Sequence, residues 1–239
     1  FYDFKKAGTD IPDNVQGARF AVPINWWENS KTAAQANRQF CIDNAVNFSS
    51  YSANDWGLSA CFRPDRSYFG MNGAPPREYV SPDGGEPAND GTVPPYGAIS
   101  ALPLMKDIET SGLSSNFAYQ ALAHYYNDYY FRLWGPYGPR DSFNQFKKFS
   151  TIYTGINLGP IALMIENYRS SLLWNTFMAD SKIAQVNHSL FTDTMAPVIN
   201  QFSISNPNSP TAGYTNSTAV NVSIDGSDAG GITKWLITE

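Results

Sequence analysis

Cysteine and histidine are scarce: the 239 residues hold two of each. Cys41, Cys61, His124 and His188 stand outside any ligand-spaced cluster, which argues against a zinc site. The cysteine spacing fits either a disulfide or two buried thiols. Basic residues are few and dispersed; 16 Lys and Arg against 21 Asp and Glu leave a net charge of −5. Without a basic patch, nucleic acid is not an expected partner. Glycine-rich phosphate loops and Gly-x-Ser-x-Gly elbows are missing. So is any run of the roughly 18 uninterrupted apolar residues that a membrane-spanning helix needs. The chain opens on Phe1-Tyr-Asp-Phe4, with neither an initiator Met nor a leader pattern, and Trp235–Glu239 reads as strand interior. Both ends lead to the expectation that this is a segment of a longer polypeptide.

Aromatic residues, by contrast, make up 15% of the chain, with 14 Tyr and 6 Trp. Their flat apolar faces and polar edges suit sugar rings, and the plainer reading is a Tyr-rich core. Residues 155–178 are the other outlier. After Gly159-Pro160 the run is apolar on nearly every helical face, the pattern of a buried helix, yet it carries Glu166 and Arg169 three residues apart. A buried carboxylate must be paired or used.

Helical spacing over about 31–45 follows a cap at Asn29 or Ser30. Residues 46–95 are a long excursion rich in Gly, Pro, Asn, Asp and Ser, and loops of this length are usually functional. Helices are then expected over about 96–103, 115–134 (stopped by Gly135-Pro136), 158–179 and 181–187. Near Met195-Ala-Pro197 the pattern changes. Val198, Phe202 and Ile204, then Val220, Val222 and Ile224, alternate with polar residues across Asn206–Pro210, as in strand–turn–strand. A β-sandwich module needs about 100 residues, so 196–239 can supply only part of one. The expected organisation is therefore mainly α over 1–195, with a partial Ig-like or fibronectin-like β module over 196–239.

A set of phrases occurs in order: Trp27-Glu-Asn-Ser30, Arg38-Gln-Phe-Cys-Ile-Asp-Asn44, Trp56-Gly-Leu-Ser-Ala60, Asn72-Gly-Ala-Pro-Pro76, Asp90-Gly-Thr-Val-Pro-Pro-Tyr96, Tyr137-Gly-Pro-Arg-Asp-Ser-Phe-Asn144 and Gly155 through Trp174. Together they make about 20–195 resemble the bacterial glucoamylase-like domain, which includes β-1,2-glucanases and related transglycosylases. The resemblance implies an (α/α)₆ toroid, of which this chain is the C-terminal half, with loops forming a sugar cleft. It implies a secreted or periplasmic enzyme that hydrolyses or transfers a β-linked glucan, most of all β-1,2-glucan, by paired carboxylates without metal or organic cofactor. A non-catalytic glycan-binding protein using the same cleft is the alternative. Two phrases depart from the family pattern. Cys61-Phe-Arg-Pro-Asp-Arg66 replaces an Asp-Gly-Pro turn. Gly155-Ile-Asn-Leu-Gly159 replaces Gly-Ile-Asp-Gln-Gly, so Asn157 stands where relatives carry a carboxylate.

Glycoside hydrolysis uses a carboxylic acid and a carboxylate flanking the scissile bond. The candidates are Glu28, Asp55, Glu78, Asp83, Glu86, Asp90, Asp141 and Glu166. Of these, Glu166 and Asp90 are assigned to catalysis. Glu28, Trp56, Tyr68, Tyr96, Asp141 and Arg169 are assigned to substrate binding. The structural alternatives are an ion pair between Glu166 and Arg169, turn capping by Asp90 and Asp141, and core packing of the aromatic rings.

Overall fold

The computed structural model describes residues 2–10, 24–70, 72–73, 89–192, 198–205 and 221–227. In chain order the elements are α1 (Phe4–Ala7), β1 (Thr9–Asp10), α2 (Trp26–Asp43), β2 (Cys61–Phe62), β3 (Tyr68–Phe69), α3 (Pro95–Ser100), α4 (Phe117–Leu133), β4 (Trp134–Gly135) and β5 (Gly138–Pro139). There follow α5 (Gly155–Ser170), α6 (Leu172–Met178), α7 (Ser181–Leu190), β6 (Phe191–Thr192), β7 (Val198–Ser205) and β8 (Asn221–Ser227). The fold is mostly helical, with short two-stranded pairings. Two units divide it: Trp27–Thr176 form one, and the segments Tyr2–Trp26 and Phe177–Glu239 form the other.

In the first unit α3 packs against α4 and α5. The core gathers Trp56, Tyr51, Tyr125, Met105, Ile99 and Leu133, all nearly inaccessible. Helix α4 buries Ala118, Ala121 and Tyr125, the spacing of one helical face. Its first turn is set by Asn116, whose Oδ1 accepts from Ala118 N and Tyr119 N. The nearby Ser115 does not cap the helix; its hydroxyl accepts from Thr110 N and Ser111 N. Gly57 has φ +99°, and a Cβ there would sit 2.2 Å from Ala98 N. Facing it, a Cβ on Gly97 would sit 2.0 Å from Gly57 O, so two glycines let α3 and the 52–60 loop touch backbone to backbone. Cys41 and Cys61 are separate buried thiols, and burial pushes each up to about 12.

The helix expected over 158–179 is divided. Ser171 takes a left-handed conformation (φ 57°) between α5 and α6. Buried Asn167 makes the break: its carbonyl accepts from Ser171 N, and its side-chain Oδ1 accepts from Trp174 N. Nor is this helix buried on every face. Within α5 only Asn157, Ile161 and Asn167 are buried, while Ile156 is 81% exposed. An all-round apolar pattern thus marks the helix, but its described neighbours cover only part of its surface.

In the second unit Tyr2, Phe4 and Phe191 form a ring cluster, and Tyr2 donates to Asn187 Oδ1 (2.6 Å). The expected strand pair is present as the antiparallel pairing of β7 and β8, with Phe202 opposite Ile224 and Ile204 opposite Val222. The change of character placed at 195–197, the Asn206–Pro210 turn and Val220 lie outside the described residues. Among the described residues no helix is long and apolar enough to cross a membrane.

Candidate functional site

A cavity of about 150 Å³ opens between the β2–β3 hairpin and the start of α5. Its walls include Tyr68, Tyr96, Asp141, Thr154, Ile156 and Asn157. Asp141 is held on an extended segment. Its amide donates to Ile152 O, and two residues on Phe143 exchanges backbone bonds with Val93. This fixes a carboxylate that is only 4% exposed. Phe62 N donates to its Oδ2 at 2.6 Å. Asn157 Nδ2 donates to its Oδ1 at 2.7 Å, and the Thr154 hydroxyl donates to the same oxygen. Three donors therefore surround Asp141, the arrangement that compensates a buried negative charge.

The aromatic walls differ in character. Tyr96 is half-buried; its hydroxyl contacts Ser59 Oγ at 2.6 Å and Ala60 O at 3.1 Å. Burial raises its pKa, so the group stays a proton-bearing hydroxyl at neutral pH. Tyr68 is 61% exposed on β3, its ring 5.3 Å from that of Phe62. Cys61 also lines the cavity, but a thiol pushed up to about 12 is no nucleophile at neutral pH.

The structure thus brings together three of the residues expected at a cleft: Tyr68, Tyr96 and Asp141. Asp90 faces a separate groove of about 650 Å³, lined also by Phe48, Arg63, Gln145 and Phe146. There it pairs with Arg63 (Nε to Oδ2, 2.7 Å) and caps its own turn by accepting from Thr92 N. The Arg63 guanidinium lies 3.8 Å from the centre of the Phe69 ring. Trp56 is placed in the core at 1% exposure, edge-on to Phe117. Glu28 sits in the first turn of α2, paired with Lys31 at 2.6 Å.

Glu166 and Arg169 pair as expected (2.9 Å), but outward: their side chains are 33% and 71% exposed, and Ser170 donates to the same carboxylate. The premise that Glu166 is a buried charge is therefore corrected. It is partly covered rather than buried, and it does not line the cavity around Asp141. Glu78, Asp83 and Glu86 lie outside the described residues. Thr154 and the Phe62 amide are the site groups that the sequence did not single out. For Thr154 the available signal was its position just ahead of the Gly155 helix start.

A helical frame with a tyrosine-walled cavity around a hydrogen-bonded carboxylate is an arrangement suited to a polyhydroxylated ligand. Residues 10–181 match the Glycoamylase family, described as "Putative glucoamylase", and the chain belongs to that family. It is 34% identical over 156 residues to the exo beta-1,2-glucooligosaccharide sophorohydrolase (non-reducing end) of Parabacteroides distasonis. That match covers 65% of this chain and 19% of the relative. The endo-beta-1,2-glucanase of Chitinophaga pinensis, solved with sophorotriose and glucose, superposes with a TM-score of 0.57 at 29% identity, covering 71% of this chain and 36% of that one. For the beta-1,2-glucanase of Parabacteroides distasonis the TM-score is 0.54 at 32% identity, over 70% and 21% of the two chains. The family read from the sequence phrases is the family found. This chain spans well under half the length of each of these three relatives.

Proposed function

We propose that this chain forms part of a glycoside hydrolase acting on β-linked glucan, with β-1,2-glucan as the substrate. The observation that carries this reading is the cavity joining Tyr68, Tyr96 and Asp141 in a chain similar to enzymes named for β-1,2-linked glucans. Tyr68 offers an open ring face to a sugar, Tyr96 a hydroxyl, and Asp141 an acceptor for a sugar hydroxyl or a water. The groove beside Arg63 and Asp90 shares no lining residue with this cavity and carries no part of the reading. In this reading the first unit is the C-terminal portion of an (α/α)₆ toroid, β7–β8 begin an Ig-like module, and the protein works outside the cytoplasm.

Paired-carboxylate chemistry needs a second acid near the first. Asp141 is the one carboxylate among the described residues lining the cavity. Asn157, an amide, occupies the neighbouring place. That observation favours a second reading, in which the cavity holds glucan without cutting it.

Incubating the protein with linear β-1,2-glucan, and following reducing ends and chain lengths, separates the two. New reducing ends establish hydrolysis, and redistributed lengths establish transfer. Binding by calorimetry without either supports the binding protein. No binding and no product removes both readings. Asp141→Asn lowers affinity or rate in either case, because it replaces an acceptor-only group by one presenting a donor.

A further inference from the structure

Away from the cavity, His124 on α4 lies between two carboxylates. Its Nε2 is 3.1 Å from Asp55 Oδ1 and its Nδ1 is 2.5 Å from Asp128 Oδ2. A neutral imidazole carries one N–H and one bare lone pair, so it would set a lone pair against a carboxylate oxygen at one of these contacts. Only the imidazolium donates at both.

Asp55 belongs to the 52–60 loop, an irregular strap held by side chains from three helices. From α2, Arg38 donates to Ala53 O, and Asn37 both donates to Leu58 O and accepts from Gly57 N and Leu58 N. From α4, the Tyr125 hydroxyl bonds both the amide and the carbonyl of Trp56. Tyr129 bonds Asp55, and its pKa is pushed up to about 12, first by burial and then by Asp55's charge. At the far end Tyr96 of α3 holds Ser59 and Ala60, the latter on the cavity wall. We propose that His124, as an imidazolium gripped between Asp55 and Asp128, is a pH-dependent bolt that fastens the 52–60 strap to α4 and lets it loosen when the proton leaves.

The other ionisable groups around the bolt do not change charge near neutral pH. Arg38 stays cationic, and the Tyr125 and Tyr129 hydroxyls and the Cys41 thiol near Asp55 are all raised, chiefly by burial. Arg132 and Lys147, cations too, share the surface beside Asp128. His124 itself is raised above the ordinary imidazole value, because its bond to Asp55 outweighs burial, with Asp128 adding to the shift. A group raised on folding contributes fully below its unfolded value of about 6.5, and that contribution fades as pH climbs through the folded value. The strap is therefore tightest in mildly acidic solution and looser in alkaline solution.

Proton NMR of the two histidines, together with amide-exchange protection factors from about pH 5.5 to 9, tests the bolt without any sugar. The expected result is one imidazole titrating above about 6.5, and protection across 52–60 falling over the same range while that of α5 holds. Asp128→Asn removes the more exposed carboxylate and spares Asp55, so folding is not at stake. It is expected to move the titration and the protection step to lower pH together. The proposal is overturned if neither histidine titrates above the ordinary value, if strap protection ignores the titration, or if Asp128→Asn leaves both unchanged. These readouts stay informative whether or not the cavity binds glucan.

Discussion

Asn157→Asp is the substitution with the sharpest physical consequence. In the native protein the Asn157 amide donates to Asp141 at 2.7 Å, inside a pocket where the two residues are 7% and 4% exposed. A second carboxylate at that distance would face the first with a repulsion of about 6 kcal/mol at an effective dielectric of about 20. Keeping one proton on the pair at pH 7 instead costs about 4 kcal/mol, from roughly three pH units at 1.36 kcal/mol each. The cheaper course wins, and the folded variant takes up a proton that the unfolded chain does not bind. Its proton affinity is thus raised on folding, so the variant's stability is highest in acid and declines as pH rises above about 4. Relative to the native protein, the variant is expected to lose between about 2 and 4 kcal/mol at pH 7. At about pH 4 it regains nearly all of this, because the introduced carboxyl, once protonated, restores the hydrogen bond to Asp141. Urea unfolding of both proteins at half-unit steps across this pH range, continued to about pH 8, measures the difference. A stability gap independent of pH would show that the two side chains do not share the buried contact, and the account of Asp141 would fail with it.

Gly97→Ala drives a methyl group into the Gly57 carbonyl and is expected to cost about 2 kcal/mol or more, read as a lowered urea midpoint with unchanged slope. Asn116→Ala removes the α4 cap, the buried bond to Leu102 O and a half-buried bond to Glu109; a loss of about 2 kcal/mol is expected in the same assay. Glu166→Gln touches an exposed pair, so stability should change by less than about 1 kcal/mol and glucan turnover should stay within a few-fold. A drop in rate of about 100-fold, the scale of lost general acid–base catalysis, would instead assign Glu166 to proton chemistry.

Much of the helical frame was legible in the sequence because its signals are local. Gly135-Pro136 stops α4 where expected, and Pro94-Pro95 opens α3. The start of α2 lies further upstream than its capping residues suggested, since Trp27 is drawn into the fold by its indole bond to Asp107, 80 residues away. The site was legible only in part. Asp141 stood out as an acid in a turn, and Asn157 as an amide in an acid's place. Their meeting was not visible, because the donors around Asp141 come from positions 62, 154 and 157, and tertiary packing alone joins them. Glu166 misled for the converse reason: hydrophobicity around a helix implies a covering layer but does not say which residues lie beneath it.

The two cysteines carry a practical consequence. Each sulfhydryl is at most 1% exposed, and burial holds its pKa well above neutral, so a maleimide or disulfide reagent reacts chiefly when the structure around it opens. The rate of alkylation therefore counts the opening events of the first unit, and Cys61 reports on the cavity wall itself. Native chemistry has supplied a clock for breathing at the candidate site, with no probe needing to be engineered in.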